Sequence, residues 1–257
     1  MTLPPQAMNR SVFKFPGATA GSHRRGLVGR IEPLEWLLVV VAVLAALSTA
    51  TSVLDLSALH FVFKPLTMLV AIVFVAASAY TTVARGRFYV YLVAALVASL
   101  AGDVFLMLPG KYFIPGLASF LVAHLFYIAL FRQGVPWFPS RRALAGTLAV
   151  GAVMYAWVWG GLTDPLLQVA VAAYVSVIAL MAAQAIGRAV VVRDAAATAV
   201  GLGACVFMLS DSLIAINRFV QPLPLVSLWV LASYYTAQIL IVRCARPVVP
   251  AVPTTLA

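Results

Sequence analysis

The sequence predicts an all-α protein, a polytopic membrane helix bundle with eight transmembrane helices. Of the 257 residues, 64% are hydrophobic and 9% are charged, and the mean hydropathy is +1.05. A soluble domain has roughly 25% charged residues, and a disordered chain combines low hydrophobicity with high charge, so this composition excludes both classes. The apolar residues fall into runs of about 20, the length that a helix needs to cross a hydrocarbon core of ~30 Å. Helices are expected because lipid offers no partner to an unpaired backbone group.

Eight apolar runs follow one another along the chain. They cover residues 34–53, 62–83, 88–108, 115–131, 143–160, 165–187, 195–216 and 224–242. The connections are short and often contain Pro or Gly, which favours antiparallel neighbours in one bundle. We therefore expect three parts, which are a disordered basic cytoplasmic tail over 1–30, an eight-helix transmembrane domain over 31–243, and a short cytoplasmic C-terminal tail over 244–257.

Local signals mark the starts of several runs. Glu35 lies at the start of the first run, and Lys64, just before Pro65, is expected to open the second. Asp164 precedes the sixth run and Asp194 the seventh, and aspartate is a common residue at the N-cap of a helix. The third and fifth runs each follow a pair of arginines.

The positions of Lys and Arg predict the orientation, because cytoplasmic loops are enriched in both. Fourteen of the 17 fall in the tails and in alternate loops: Arg10, Lys14, Arg24, Arg25, Arg30, Arg85, Arg87, Arg132, Arg141, Arg142, Arg188, Arg193, Arg243 and Arg246. Both termini are therefore expected to be cytoplasmic. Basic residues spread in this way fit a membrane surface and do not form the single basic face of a nucleic-acid-binding protein.

Two of the seven acidic residues, Asp103 and Asp211, lie inside apolar runs. An ionisable residue there costs about 2.5 to 3.5 kcal/mol on insertion scales, so it usually faces the bundle interior and serves function. The alternative is a structural hydrogen-bonded pair. At 1.5 Å per residue, both aspartates are expected roughly 7 to 9 Å below the outer surface, on helices that run in the same direction. Two carboxyl groups in one desolvated site could divide into an acid and a base.

Further polar residues occur at compatible depths. His124 and Tyr127 share a face of the fourth helix. On the eighth helix, Tyr234 and Gln238 share a face, with Tyr235 one position round. We take all five as supporting residues of the candidate active site, together with Asn217, which could equally be a helix C-cap. For each, the alternative is an ordinary packing residue with a satisfied hydrogen bond.

Three basic residues remain for the end of the bundle that carries the aspartates. Lys64 starts the second helix, Lys111 follows Asp103 by eight residues, and Arg218 follows Asp211 by seven. A basic rim above an acid pair fits a phospholipid whose headgroup rests at the interface, so we expect these residues to bind a substrate phosphate. The alternative is that they only extend to the interface.

The aspartates also indicate two parallel four-helix repeats. Each lies on the third helix of a four-helix half, and each is followed by a cation. Lys64–Pro65 and Asp164–Pro165 fall at nearly the same offset in the two halves. An axis along the membrane normal would relate such repeats.

Two blocks of residues carry a resemblance to a known family. The first comprises Ser99, Leu100, Ala101, Gly102, Asp103, Val104, Phe105, Leu106 and Met107, then Gly116 to Phe120, then His124 and Tyr127. The second comprises Gly203, Ala204, Val206, Phe207, Ser210, Asp211, Ala215, Asn217, Arg218 and Phe219, then Tyr234, Tyr235 and Gln238. Preceded by Lys64 and Pro65, these blocks resemble the YhhN-type lysoplasmalogenase family over helices two to eight.

The resemblance implies a multi-pass enzyme that hydrolyses the vinyl ether bond of lysoplasmalogens. The products would be a fatty aldehyde and glycerophosphoethanolamine or glycerophosphocholine, and the partners a lysophospholipid and the bilayer. Such chemistry needs an acid, a stabilising carboxylate and water, which Asp103 and Asp211 could supply in either order. The sequence has no cluster of His, Cys and carboxylates at metal-ligand spacing, so neither a metal nor a cofactor is expected.

Two other functions use paired intramembrane carboxylates. An intramembrane aspartyl protease would carry GxGD and a Pro-Ala-Leu motif, and both are missing. A proton-coupled transporter is the non-enzyme alternative, although it would place carboxylates near the midplane. The composition suits a bacterial inner membrane, and the sequence leaves the oligomeric state open.

Overall fold

A computed structural model describes residues 35–81, 86–109 and 111–247. Within these ranges the chain forms eight α helices and no strand. They are α1 Glu35–Val53, α2 Ser57–Thr81, α3 Arg87–Met107, α4 Phe113–Arg132, α5 Arg141–Val158, α6 Pro165–Val192, α7 Ala195–Phe219 and α8 Val226–Cys244. All eight are long and apolar enough to span a membrane. The predicted all-α fold with eight transmembrane helices is therefore confirmed.

Several predicted helix ends were wrong, and two of these errors affect the candidate site. Helix α6, which was expected to end at residue 187, continues to Val192, so Arg188 lies inside the helix and not in the following loop. Helix α2 begins at Ser57, so Lys64 lies inside the helix and does not open it. Helix α7 continues through Asn217 and Arg218 to Phe219. In each case polar residues near the helix end lower the local hydropathy while the backbone hydrogen bonding continues. Pro65 is accommodated inside α2, as proline often is within membrane helices.

The corrected ends also change the depths of the aspartates. Asp103 lies four residues before the end of α3 at Met107, and Asp211 lies eight before the end of α7. At 1.5 Å per residue these separations are about 6 and 12 Å, so Asp211 is the deeper of the two along its own helix.

Seven helices form a closed ring, and the eighth lies outside it. The ring order is α1, α2, α3, α4, α6, α7, α8 and back to α1. Helix α5 packs against α6 and α7 from outside. The interior of the ring holds the large buried side chains, among them Tyr127, Phe131 and Phe207. Polar side chains buried in this interior are shielded from lipid on every side.

Side-chain caps start three helices. Ser140 Oγ accepts a hydrogen bond from the backbone N–H of Ala143 at the start of α5. Asp164 and Asp194 cap α6 and α7 in the same manner, as predicted. The caps fix where these helices begin, because they satisfy backbone donors that have no partner within the helix.

One end of the bundle, where α3 and α7 finish and α4 and α8 begin, is called here the site end. The described cations outside it are Arg87, Arg132, Arg141, Arg142, Arg188, Arg193, Arg243 and Arg246, all near the opposite end. This asymmetry agrees with the predicted alternation of charge, while the side of the membrane remains a prediction. The predicted basic tail over 1–30 and the last ten residues of the C-terminal tail lie outside the described residues.

Candidate active site

Asp103 is held by a lysine and a tyrosine from two neighbouring sides. Lys64 Nζ on α2 lies 3.2 Å from Asp103 Oδ1, and their side chains are 10% and 2% exposed. The Tyr234 hydroxyl on α8 donates a hydrogen bond of 2.6 Å to Asp103 Oδ2. Both carboxyl oxygens therefore have a partner, and one of these partners is a cation.

Asp211 has a second set of partners. The Tyr174 hydroxyl on α6 donates a hydrogen bond to Asp211 Oδ2. His124 Nε2 on α4 lies 3.4 Å from the same oxygen and 3.0 Å from the Tyr174 hydroxyl. Within the described residues no hydrogen-bond partner occurs for Asp211 Oδ1. Asp211 thus combines one anchored oxygen with one free oxygen.

The environment of His124 indicates its proton arrangement. The side chain is fully buried, and its Nδ1 has no hydrogen-bond partner among the described residues. A proton on Nδ1 would be a buried donor without an acceptor, which costs about 1–3 kcal/mol. A hydrogen on Nε2 avoids that cost and points toward Asp211 and Tyr174. His124 therefore acts as a fixed donor in this arrangement.

A chain of hydrogen bonds connects α4 with the Asp103 cluster. The Tyr127 hydroxyl donates a 2.6 Å hydrogen bond to Gln238 Oε1. Gln238 Nε2 in turn donates to the Tyr234 hydroxyl over 3.4 Å. All three side chains are buried. This chain orients the Tyr234 hydroxyl that reaches Asp103.

Aromatic rings lie between the two aspartate clusters. Helices α3 and α7 are not adjacent in the ring, and α4 and α8 contribute side chains from either side. The Phe207 ring packs 4.9 Å from His124 and 5.5 Å from Tyr234, so it contacts one member of each cluster. Phe120 packs against both Phe207 and Tyr234. The carboxyl groups therefore belong to one aromatic-lined interior without a direct hydrogen bond between them.

Gly102 makes this arrangement possible. A Cβ atom at Gly102 would lie 2.5 Å from Phe120 Cδ2, well inside van der Waals contact. The absence of a side chain lets Phe120 pack on α3 directly beside Asp103. This close approach explains why glycine precedes the aspartate.

The partners of the two aspartates lie on corresponding helices of the two halves of the chain. Asp103 on α3 is held from α2 and α8, and Asp211 on α7 is held from α6 and α4. Each aspartate is therefore contacted by the preceding helix and by the last helix of the other half. The outer position of α5, compared with α1 inside the ring, departs from that symmetry.

Two openings adjoin the site. The first, called the apolar crevice, lies among α4, α5, α6 and α7 and includes Asp211 and Tyr174 in its wall. The second, called the basic cavity, has a volume of about 420 Å³ and is lined by Lys64, Asn217, Arg218 and His60. Both are bordered by Leu106, Phe113 and Ile214. These three side chains form the boundary between an apolar and a polar compartment.

The other residues that the sequence predicted for the site do not share one location. Arg218 lies with its guanidinium carbon 3.9 Å from the centre of the Phe113 ring, beside the basic cavity. Asn217 Oδ1 accepts a hydrogen bond from the backbone N–H of Leu223, so it braces the loop between α7 and α8. The Tyr235 hydroxyl donates to Ser48 Oγ, away from both carboxyl groups. Lys111 is exposed and is not among the residues that line either opening.

Two residues at the site, Tyr174 and His60, were not among those predicted from the sequence. Tyr174 donates to Asp211, and it precedes Asp211 by 37 residues, much as Lys64 precedes Asp103 by 39. The repeat was the signal that could have identified it. His60 lies one helical turn before Lys64, and that spacing places both on one face of α2.

The chain is similar in sequence to one protein family and to several named proteins. The YhhN family model matches residues 59–245. Lysoplasmalogenase TMEM86B of Sus scrofa is 34% identical over 158 residues, which are 62% of this chain and 64% of that protein. Lysoplasmalogenase TMEM86A of Bos taurus is 33% identical over 154 residues, 58% of this chain and 62% of that protein. A lysoplasmalogenase of Mycobacterium bovis is 33% identical over 166 residues, 61% of this chain and 60% of that protein.

The chain spans a little less than two thirds of the length of these curated relatives. No solved structure matches it. The matches give no support to the alternative of a proton-coupled transporter.

Proposed function

Because the chain belongs to the YhhN family, we propose that it is a membrane hydrolase that cleaves the vinyl ether bond of lysoplasmalogens. The products are a fatty aldehyde and glycerophosphoethanolamine or glycerophosphocholine. The observation that carries the proposal is the position of Asp211, in the wall of an apolar crevice that borders a basic cavity. Its relatives that are named lysoplasmalogenases point to the same reaction.

The two compartments fit the two ends of such a lipid. The alkenyl chain occupies the apolar crevice, and the phosphodiester occupies the basic cavity near Arg218. The vinyl ether connects the chain to the glycerol, so it lies at the boundary formed by Leu106, Phe113 and Ile214. Asp211 precedes Ile214 by three residues on α7, which brings its carboxyl group to within one helical turn of this boundary.

The crevice is narrow, with a volume of about 60 Å³, so an alkenyl chain has to displace side chains as it enters. Met154 and Met208 line it. Methionine is unbranched and adapts its shape readily, which suits a wall that must move aside for a hydrocarbon chain.

Asp211 is the proton donor in this mechanism. Vinyl ether hydrolysis begins with protonation of the carbon β to the ether oxygen, which forms an oxocarbenium ion. Asp211 Oδ1 is free of partners within the described residues, whereas Oδ2 is fixed by Tyr174 and His124. These two donors stabilise the carboxylate that remains once the proton has moved to carbon.

Asp103 serves as the second carboxyl group of this mechanism. Its ion pair with Lys64 and its hydrogen bond from Tyr234 hold it in a fixed position within the aromatic-lined interior. A fixed carboxylate stabilises the positive charge that develops on the substrate, as the second carboxyl group does in glycosidases. Tyr127 and Gln238 support this charge through Tyr234. Lys111 remains a predicted phosphate-binding residue and Tyr235 a predicted supporting residue, and within the described residues neither forms an ion pair or hydrogen bond with either carboxyl group.

Water completes the reaction. It attacks the oxocarbenium carbon and loses a proton to the Asp211 carboxylate, which restores the acid. The hemiacetal then collapses, the C–O bond to glycerol breaks, and a proton passes to the departing glycerol oxygen. One water molecule is consumed for each aldehyde and alcohol formed.

The membrane setting follows from the helices and from the distribution of charge. We propose a bacterial inner membrane with both termini in the cytoplasm, because eight of the nine described arginines lie near the end opposite the site. The site end then faces the outer leaflet, where a lysophospholipid reaches the crevice laterally.

A single assay with isotope labelling tests the function. Purified protein in detergent is incubated with lysoplasmalogen in D₂O, and the aldehyde is analysed by mass spectrometry. We expect one carbon-bound deuterium, at the carbon next to the aldehyde carbon, because the donated proton comes from a carboxyl group that exchanges with solvent. The matched 1-O-alkyl lysophospholipid, which lacks the double bond, should release no aldehyde. Absence of aldehyde from both lipids would refute the proposed function.

A further inference from the structure

The basic cavity contains a histidine to which the mechanism above gives no role. His60 lies on α2 one turn before Lys64, and both line this cavity with Arg218. No carboxylate is among the lining residues. The cavity therefore presents three basic side chains and no acidic one to whatever it holds.

The charges in the cavity are not equally available. Lys64 is paired with Asp103 at 3.2 Å, so its charge is largely cancelled. Arg218 forms no ion pair within the described residues, and its guanidinium stacks on Phe113. A phosphodiester has two non-bridging oxygens and needs more than one donor. Arg218 can bind one oxygen, which leaves the second for another group.

The imidazole of His60 is oriented to supply that donor. Its Nδ1 lies 3.0 Å from the backbone carbonyl oxygen of Ser48. Because a carbonyl only accepts, Nδ1 carries a hydrogen, and Nε2 can donate only when the ring gains a second proton. Ser48 Oγ also accepts a hydrogen bond of 2.9 Å from the Tyr235 hydroxyl, so α1, α2 and α8 together fix the ring. Within the described residues Nε2 has no hydrogen-bond partner.

We propose that His60 takes up a proton from solvent when the substrate phosphate enters the basic cavity, and that the resulting imidazolium binds one non-bridging oxygen through Nε2–H while Arg218 binds the other oxygen. The charged and titratable groups around the ring are Lys64 on its own helix, Asp103 on α3, Arg218 on α7 and Tyr235 on α8. Of these, Lys64 and Asp103 neutralise each other, and Arg218 stabilises the bound anion alongside the histidine. His60 is thus a specificity residue for phosphate-bearing vinyl ethers, an inference that rests on the proposed function.

Two substitutions separate anion binding from support of the fold. The amide nitrogen of His60→Asn takes the place of Nδ1 and keeps the hydrogen bond to Ser48, but removes Nε2. His60→Gln places its amide near Nε2 and gives up the bond to Ser48. Each variant is assayed with lysoplasmalogen and with 1-O-alkenylglycerol, which has the same vinyl ether but no phosphate.

For His60→Asn we expect the KM for lysoplasmalogen to rise roughly tenfold or more, the usual effect of losing a hydrogen bond to a charged group. The kinetic constants for 1-O-alkenylglycerol should stay within about twofold of wild type. His60→Gln should show a smaller rise in KM, because it keeps a neutral donor near the anion.

Three outcomes would overturn the inference. In the first, His60→Asn leaves the KM for lysoplasmalogen unchanged. In the second, His60→Asn lowers kcat/KM equally for lysoplasmalogen and for 1-O-alkenylglycerol. In the third, His60→Asn weakens inhibition by inorganic phosphate without changing the KM for the lipid. The last would assign the site to free phosphate. Failure of the wild-type protein to release aldehyde from either substrate would instead refute the proposed function.

Discussion

Removal of the Lys64 ammonium tests the buried ion pair that holds Asp103. In Lys64→Met, an apolar side chain of similar length replaces a cation that lies 3.2 Å from Asp103 Oδ1 with 10% of its side chain exposed. Breaking a buried pair from one side leaves an uncompensated charge and costs about 3–5 kcal/mol. For a chain of this size that cost corresponds to a fall in Tm of roughly 6 to 20 °C.

The assay is thermal unfolding of the purified protein in detergent, with two companions. Lys111→Met removes an exposed lysine and should change stability by less than about 0.5 kcal/mol. The double variant Lys64→Met/Asp103→Asn carries no unpaired charge, so it should recover most of the loss seen for Lys64→Met. A fall in Tm no larger than that of Lys111→Met, or a double variant no more stable than Lys64→Met, would refute the ion-pair reasoning.

Three further predictions concern turnover of lysoplasmalogen by folded protein. The double variant Lys64→Met/Asp103→Asn should be stable yet slowed by roughly 100-fold or more in kcat, because the fixed carboxylate is lost; a normal kcat would remove Asp103 from the mechanism. Tyr174→Phe should lower kcat about tenfold or more with little change in KM, because Asp211 loses a hydrogen-bond donor. The matched control is Tyr155→Phe, which should leave kcat unchanged, because the Tyr155 hydroxyl donates to the Gln168 carbonyl and not to an aspartate. Ala215→Phe should fill the apolar crevice and reduce kcat/KM more for long than for short alkenyl chains. The control is Ala118→Phe, at an exposed position, which should not change this dependence on chain length. Equal effects of Ala215→Phe at all chain lengths would argue against binding of the chain in the crevice.

The eight helices could be predicted because hydropathy reports a local property of the chain. The helix ends were less accessible, since residues such as His60, Lys64 and Arg218 lower the local hydropathy without ending the helix. Helix α5 is as long and apolar as a helix of the ring, so nothing in its composition reveals that it lies outside.

The aspartates could be located from sequence because a charged group is costly against lipid and must face the interior. Their partners could not, because each partner lies on a helix distant in the chain. Lys64 was expected at the surface and instead pairs with Asp103, and Tyr174 looked like an ordinary packing residue until α6 was seen beside α7. The sequence predicted that α3 and α7 run in the same direction through the membrane. The helix order in the ring shows that α4 and α8 contribute the side chains that lie between Asp103 and Asp211.

The most direct test of the account is the rate of aldehyde release from lysoplasmalogen by Asp211→Asn. The asparagine keeps the size of the side chain and can still accept hydrogen bonds from Tyr174 and His124, so the fold should persist, as thermal unfolding in detergent can check. Loss of the proton donor should lower kcat by about 10²- to 10⁴-fold with a nearly unchanged KM. A folded Asp211→Asn protein that releases aldehyde at the wild-type rate would contradict the assignment of Asp211 as the acid.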